Sequence, residues 1–150
     1  MNCLFCGFVD GSVPCHKVWE DDKHMAFLTI FPNTPGVTVV ITKDHHDSYF
    51  ADVPESVRTG LVNAAATVAK KIDAAFPDVG RCAMVFEGFG VNHIHAKLFP
   101  LHGTALPEWK PIKRDQRKFF DQYEGFISSH DCERADDKVL ADIAAKIRAA

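Results

Sequence analysis

"VNHIHAKLFP", Val91 to Pro100, sets His93, His95 and Lys97 at every second position, with Ile94, Ala96 and Leu98 between them. Alternation of this kind predicts a β-strand, because successive side chains point to opposite faces. One face is apolar. The other carries two imidazoles and an ammonium, groups that cost desolvation unless they meet a metal, an anion or water. Same-face residues lie about 6.6 Å apart along a strand, near enough for their side chains to converge on one ligand. An edge strand with its polar side in solvent would alternate in the same way. Two features favour a binding face: Gly88 and Gly90 just upstream allow close backbone approach, and the chain carries half of a metal site near its start.

Working outward, "RCAMVFE" reads as a neighbouring strand joined to "HIHAKLF" by the glycine-bearing "GFGVN". Earlier in the chain, "HKVWEDD", "MAFLTI" and "VTVVIT" are β-rich runs separated by Asp-Asp and by the double-proline "FPNTPG", a meander of antiparallel strands. Between Pro54 and Phe76 the period changes to three and four, through Val57, Leu61, Ala64, Val68, Ile72 and Ala75. That predicts a long helix with Asp52 as N-cap and Pro77 as its stop. After Pro100, "GTALPEWKPIKRDQRK" reads as a loop, "FFDQYEGFIS" as one more strand and "RADDKVLADIAAKIRAA" as a closing helix, acidic at its start and basic at its end. The expected class is α+β, a five- or six-stranded antiparallel sheet with one long helix and a C-terminal helix.

The chain has 150 residues, of which 47% are hydrophobic, enough for one domain with its own core. A net charge of −3 and a pI near 6.2 give no broad basic face for nucleic acid, so any anion must be held locally. No run approaches the roughly 18 apolar residues of a membrane span, and "MNCLFCGFVDG" lacks a secretory pattern. A soluble, unprocessed, cytoplasmic protein is expected. Five cysteines, an odd number, argue against a disulfide framework, and Cys15, Cys82 and Cys132 are read as reduced thiols.

Cys3 and Cys6 form a C-x-x-C, and a closed zinc site needs two more ligands. The candidates are His45 or His46 in "TKDHHDS" and His93 or His95. A redox pair would instead need a helix start beside the motif, and "LFCGF" does not read as one. Unligated thiols are the remaining alternative.

Together "NCLFCGFVDGSVP", "VWEDDKHMAFLTI", "VVITKDH" and "VNHIHAKLFP" resemble the histidine triad (HIT) proteins, nucleotide-binding hydrolases and transferases, over about residues 3–103. The resemblance implies a HIT-like core over 1–103, with 104–150 as an extension of the same domain. It implies that His95 is a nucleophile that attacks the α-phosphorus of a nucleotide, and that Cys3, Cys6, His45 and His93 bind a structural Zn2+. A base pocket would fall to Leu4, Phe5, Phe8, Phe27 and Ile30, positions otherwise read as ordinary core. Thr29 stands where the family usually has a ribose-binding aspartate, and Gly90 and Asn92 lie where backbone N–H groups would meet phosphate. Family members usually dimerise through the long helix and the strand beside it, so a homodimer is expected.

Lys97 replaces the third histidine of the triad pattern. A nearby ammonium keeps an imidazole neutral by like-charge repulsion and neutralises phosphate oxygens, but it is a poor proton donor at its reference pKa of about 10.4. The expected activity is hydrolysis of, or nucleotidyl transfer from, a phosphoanhydride or phosphoramidate such as a dinucleoside polyphosphate. A nucleotide-binding regulatory protein with little turnover is the alternative that Thr29 and Lys97 motivate. A metal-dependent hydrolase with His93 and His95 on one open metal is the other. Trp109, Lys110, Lys113 and Arg114 offer a segment to close over the site, or a solvated loop.

Overall fold

The computed structural model describes residues 3–112, 114–130 and 133–149, so Lys113 and Cys132 lie outside the described residues. The chain forms two compact units, Met1–Trp109 and Lys110–Ala150. The first unit holds helix α1 (Leu4–Asp10), strands β1 (His16–Glu20), β2 (His24–Leu28) and β3 (Thr38–Thr42), helix α2 (Glu55–Ala75), and strands β4 (Cys82–Val85) and β5 (His95–Pro100). The strands make one five-stranded antiparallel sheet, as expected, and its order is β1-β2-β3-β5-β4. β5 therefore sits inside the sheet, between β3 and β4.

Pleating gives the sheet two faces with different partners. Ala26, Val40, Ala96 and Leu98 pack with Leu61, Ala64, Ala65, Val68 and Ile72 of α2. Leu61 is wholly buried, and burying a side chain of this kind contributes about 1.5–3 kcal/mol. Met25, Phe27, Val39 and Ile41 point the other way and pack against Phe5 of α1. Residues that pair across the strands place His95 opposite Ile41 and Lys97 between Val39 and Val85, on this second face.

A bulge in β1 adjusts the phase. Lys17 pairs with Phe27, but Trp19 pairs with Ala26, which leaves Val18 unpaired and 45% exposed. The extra residue turns Trp19 to the α2 side, where it packs against the core.

Three local expectations are corrected. "LFCGF" is a helix: Cys3 is the N-cap, and Gly11, at φ 79, provides the left-handed residue that ends it. Seven residues form a marginal helix alone. Phe5, Phe8 and Val9, packed into the second core, hold it. Asp52 does not cap α2. Its N–H donates to the Tyr49 carbonyl, and Pro54 takes the N-cap position, its carbonyl accepting from Val57 and Arg58. His93 precedes the strand, whose first residue is His95.

In the second unit, "FFDQYEGFIS" is not a strand. Gly125 turns at φ 86, and Phe120 stacks edge-on with Phe126 at 5.4 Å, so the rings pack locally instead of along a ladder. Helix α3 (Asp137–Arg148) is as predicted, with Asp136 as N-cap accepting from Lys138 and Val139. No helix among the described residues is long and apolar enough to cross a membrane.

Candidate active site and metal clamp

Two loops meet at the start of β5. Ile94 donates to the His46 carbonyl at 2.9 Å. Asn92 accepts from the Ser48 N–H at 2.9 Å and donates to Asp47 at 2.7 Å. Gly88, at φ 78, brings its backbone so close to the Ser48 carbonyl that a Cβ would lie 3.2 Å from it. Its close approach serves this loop junction.

The junction brings His45 to His93, and α1 adds two sulfurs. The ligand atoms of Cys3, Cys6, His45 and His93 all lie within 4.8 Å of one another. His93 Nδ1 is 3.5 Å from Cys3 Sγ and 3.7 Å from Cys6 Sγ, and His45 Nδ1 is 3.4 Å from Cys6 Sγ. A tetrahedral zinc with ordinary Zn–S and Zn–N bonds has S···N edges of about 3.5 Å, so the donor set fits the ion in chemistry and in size. His93 Nε2–H donates to the Thr42 carbonyl at 2.8 Å, which fixes the tautomer and leaves the Nδ1 lone pair facing the sulfurs. His46 contributes its backbone carbonyl instead of its ring.

The helix start that a redox pair requires is present at Cys3, but Cys6 lacks the depressed pKa of a reactive thiolate. Burial, and then the neighbouring Cys3, push the Cys6 thiol up.

His95 stands apart from this group. It is 3% exposed, and its Nδ1–H donates to the His93 carbonyl at 2.7 Å. In that tautomer Nε2 carries the lone pair. Burial pushes the His95 pKa below its ordinary value; the His93 carbonyl opposes this, Lys97 reinforces it and Glu87 opposes it. Lys97 acts in the direction its charge implies, but burial is the larger cause.

The floor beside His95 and Lys97 is apolar. Phe5 meets Phe27 edge-on at 5.3 Å, and Phe8 meets Phe27 at 4.8 Å. Thr29, one pleat beyond Phe27 on the same face, is half-buried, and its Oγ1 accepts from the Phe31 N–H. Leu4 and Ile30 are 47% and 70% exposed and lie outside this cluster. Gly90 is exposed at φ 88, with open space where a Cβ would be.

Sequence reading missed the Asn92 junction, the Thr42 carbonyl that orients His93, and the contact of Phe5 with His95. Each depends on chain segments far apart in sequence. For α1 a signal did exist: Gly11 follows the Phe5, Phe8, Val9 spacing.

A five-stranded antiparallel sheet that sets a buried, carbonyl-tethered histidine beside a two-cysteine, two-histidine cluster is the framework of a histidine triad protein. The HIT domain profile matches residues 10–104, and the chain belongs to the HIT family. It is 33% identical over 104 residues to adenosine 5'-monophosphoramidase hnt1 of Schizosaccharomyces pombe, covering 67% of this chain and 74% of that one. A HIT family hydrolase from Legionella pneumophila superposes with a TM-score of 0.60 at 30% identity, over 71% of this chain and 98% of the other. A zinc-bound histidine triad family protein from Mycobacterium smegmatis does so with a TM-score of 0.62 at 27% identity, over 67% and 75% of the two chains.

Proposed function

We propose that the protein is a hydrolase or nucleotidyl transferase that cleaves a nucleoside phosphoanhydride or phosphoramidate through a nucleotidyl-histidine at His95. The observation that carries this reading is the tether from His95 Nδ1 to the His93 carbonyl, which leaves a neutral ring with its Nε2 lone pair available. The monophosphoramidase among its relatives supports the reaction class.

In the first step Nε2 attacks the α-phosphorus. An N–P bond forms as the P–O or P–N bond breaks, and the electron pair leaves with the departing group, as an anion for a phosphate and with a proton taken from solvent for an amine. Water then attacks phosphorus, its proton passing to solvent, and the N–P bond breaks. The nucleoside monophosphate is released and Nε2 recovers its lone pair. Lys97, on the same face as His95, neutralises the non-bridging oxygens. Phosphate leaving groups depart as anions and suit a site whose cation is a poor proton donor.

The base lies against Phe5, Phe8 and Phe27 with Leu4 and Ile30 at the rim, the ribose near Thr29, and the phosphates towards the Gly90–Asn92 backbone. Zn2+ held by Cys3, Cys6, His45 and His93 ties α1 to the strand entrance as a structural ion. A cytoplasmic homodimer through α2 and β4 belongs to the same reading, supported by the exposure of Val62 and Met84.

Lys97 in place of a third histidine favours one rival, a nucleotide-binding protein without turnover. One experiment separates the two. Wild type and His95→Ala are incubated with dinucleoside polyphosphates and nucleoside phosphoramidates, quenched, and weighed intact. An acid-labile nucleotidyl adduct on wild type alone supports the enzyme. Tight binding with no adduct and no turnover supports the rival.

A further inference from the structure

The ring of Phe5 lies against both histidines. Its centroid is 5.8 Å from His93 with the planes at 66°, and 5.4 Å from His95 with the planes at 86°. Phe5 is only 7% exposed, and its remaining contacts include Phe8 and Phe27. In sequence it stands between Cys3 and Cys6, whose sulfurs both approach His93 Nδ1. A single residue therefore touches the clamp and the nucleophile.

Resting on the nucleotidyl-histidine reading above, we infer that Phe5 is a positioning residue: its ring fixes the plane of the His95 imidazole, and loading of the Cys3–Cys6–His45–His93 clamp sets where that ring sits. The hydrogen bond to the His93 carbonyl anchors one nitrogen of His95 but leaves the imidazole free to rock about that bond. A near-perpendicular ring against the imidazole removes this freedom. In-line attack needs it removed, because a misplacement of about 1 Å costs on the order of a hundredfold in rate. α1 is too short to hold Phe5 in place unaided, so its seat depends on packing and on what grips its two cysteines.

A pocket-lining role makes a different forecast. A residue that only contacts the base changes KM; one that aims the nucleophile changes kcat and the environment of the His95 ring. The test uses the full chain labelled with 15N-histidine, as wild type, Phe5→Leu, Phe5→Tyr and Phe8→Leu. Each is prepared loaded with Zn2+ and after chelation, with circular dichroism to establish folding. Long-range 1H–15N imidazole spectra are recorded beside kcat and KM for a nucleoside phosphoramidate.

Phe5→Leu is expected to shift the His95 ring signals and lower kcat by at least about tenfold, with a smaller change in KM. Phe5→Tyr, which keeps the ring, returns both towards wild type and keeps the question answerable if Phe5→Leu does not fold. Phe8→Leu raises KM and leaves the His95 signals in place. Removing Zn2+ from wild type moves the His95 signals as Phe5→Leu does, and has less effect on Phe5→Leu itself. The inference is overturned if Phe5→Leu raises KM alone with the His95 signals unmoved, or if chelation leaves those signals where they were. Absence of turnover in wild type counts against the nucleotidyl-transfer reading only, since the ring spectra still report on Phe5.

Discussion

The side-chain amide of Asn92 donates to Asp47 Oδ1 at 2.7 Å while its oxygen accepts from Ser48 N–H, so one residue ties the loop that carries His45 to the loop that carries His93. Neither Asp47 nor Ser48 belongs to the Cys3–Cys6–His45–His93 cluster, yet the pairing joins the segments that bring His45 and His93 to it. Asn92→Ala removes both bonds and is expected to cost about 1–2 kcal/mol. Asn92→Asp costs more, because it sets a carboxylate against Asp47. Urea unfolding and competitive zinc titration check both: each variant loses stability and metal affinity together. A drop in stability at unchanged affinity would mean that the junction does not shape the clamp.

Chelation gives a second expectation. Stripping Zn2+ should lower the melting temperature and release two thiols, Cys3 and Cys6, to a thiol reagent, because the ion's binding energy adds to folding energy. A Co2+-substituted sample should show the absorption of tetrahedral sulfur-nitrogen ligation, and His45→Ala should lose it. Thiol counts that do not change on chelation would refute the clamp.

The role proposed for Lys97 predicts that substrates separate by leaving group. Lys97→Ala should lower kcat/KM for a phosphoanhydride by about 10²-fold or more, the usual scale for removing one transition-state charge partner. Lys97→His restores a proton donor and should raise turnover of phosphoramidates with poor amine leaving groups relative to wild type. Steady-state rates across a leaving-group series test both, and a Lys97→Ala protein with unaltered rates throughout would end the clamp role of this lysine.

His102 supplies a pH dependence remote from the chemistry. Its Nδ1 faces Asp78 Oδ2 at 3.0 Å and its Nε2 the Pro35 carbonyl at 2.9 Å, so both nitrogens meet acceptors, an arrangement that favours the protonated ring. The Pro35 carbonyl first, and then Asp78, hold its pKa above the ordinary value; the His102 hydrogen bond is the largest cause holding Asp78 below its own. The histidine contribution is complete below its unfolded value of about 6.5 and fades as pH rises through the raised folded value. The Asp78 contribution is present above its unfolded value and fades as pH falls through the lowered one. The pair therefore supports the fold best between about pH 4 and 6.5. The difference in unfolding free energy between wild type and His102→Gln, measured across this range and above it, should be largest inside the range and shrink on the alkaline side; a difference that does not change with pH would end this role for the pair.

Much of this was legible in the chain. Alternation in "HIHAKLF" and the β-rich composition of "VTVVIT" mark strands, and the three-four spacing from Val57 to Ala75 marks α2. The cysteine pair and the later histidines pointed by chemistry to a cluster of four donors, and the fold brings such a cluster together. Spacing alone left His45 and His46 both open, and the family resemblance chose His45; in the fold the His46 carbonyl accepts from Ile94 while the His45 ring joins the two sulfurs and His93. α1 left only the Phe5, Phe8, Val9 spacing and the Gly11 stop as a signal, because seven residues gain their helicity from packing against strands farther along the chain. "FFDQYEGFIS" misled because aromatic, β-prone composition says nothing about whether a strand edge is available to pair with.

The two margins of the sheet differ in kind. β1 carries a bulge and the Lys17–Glu20–Lys43 ion pairs, whereas β4 is a short uncharged run, Cys-Ala-Met-Val. Irregularity and charge discourage a further strand at β1 and leave β4 the less guarded margin. In the proposed dimer, two copies meeting β4 to β4 would each cover that margin, and the assembly would stop at a closed pair instead of propagating as a fibre.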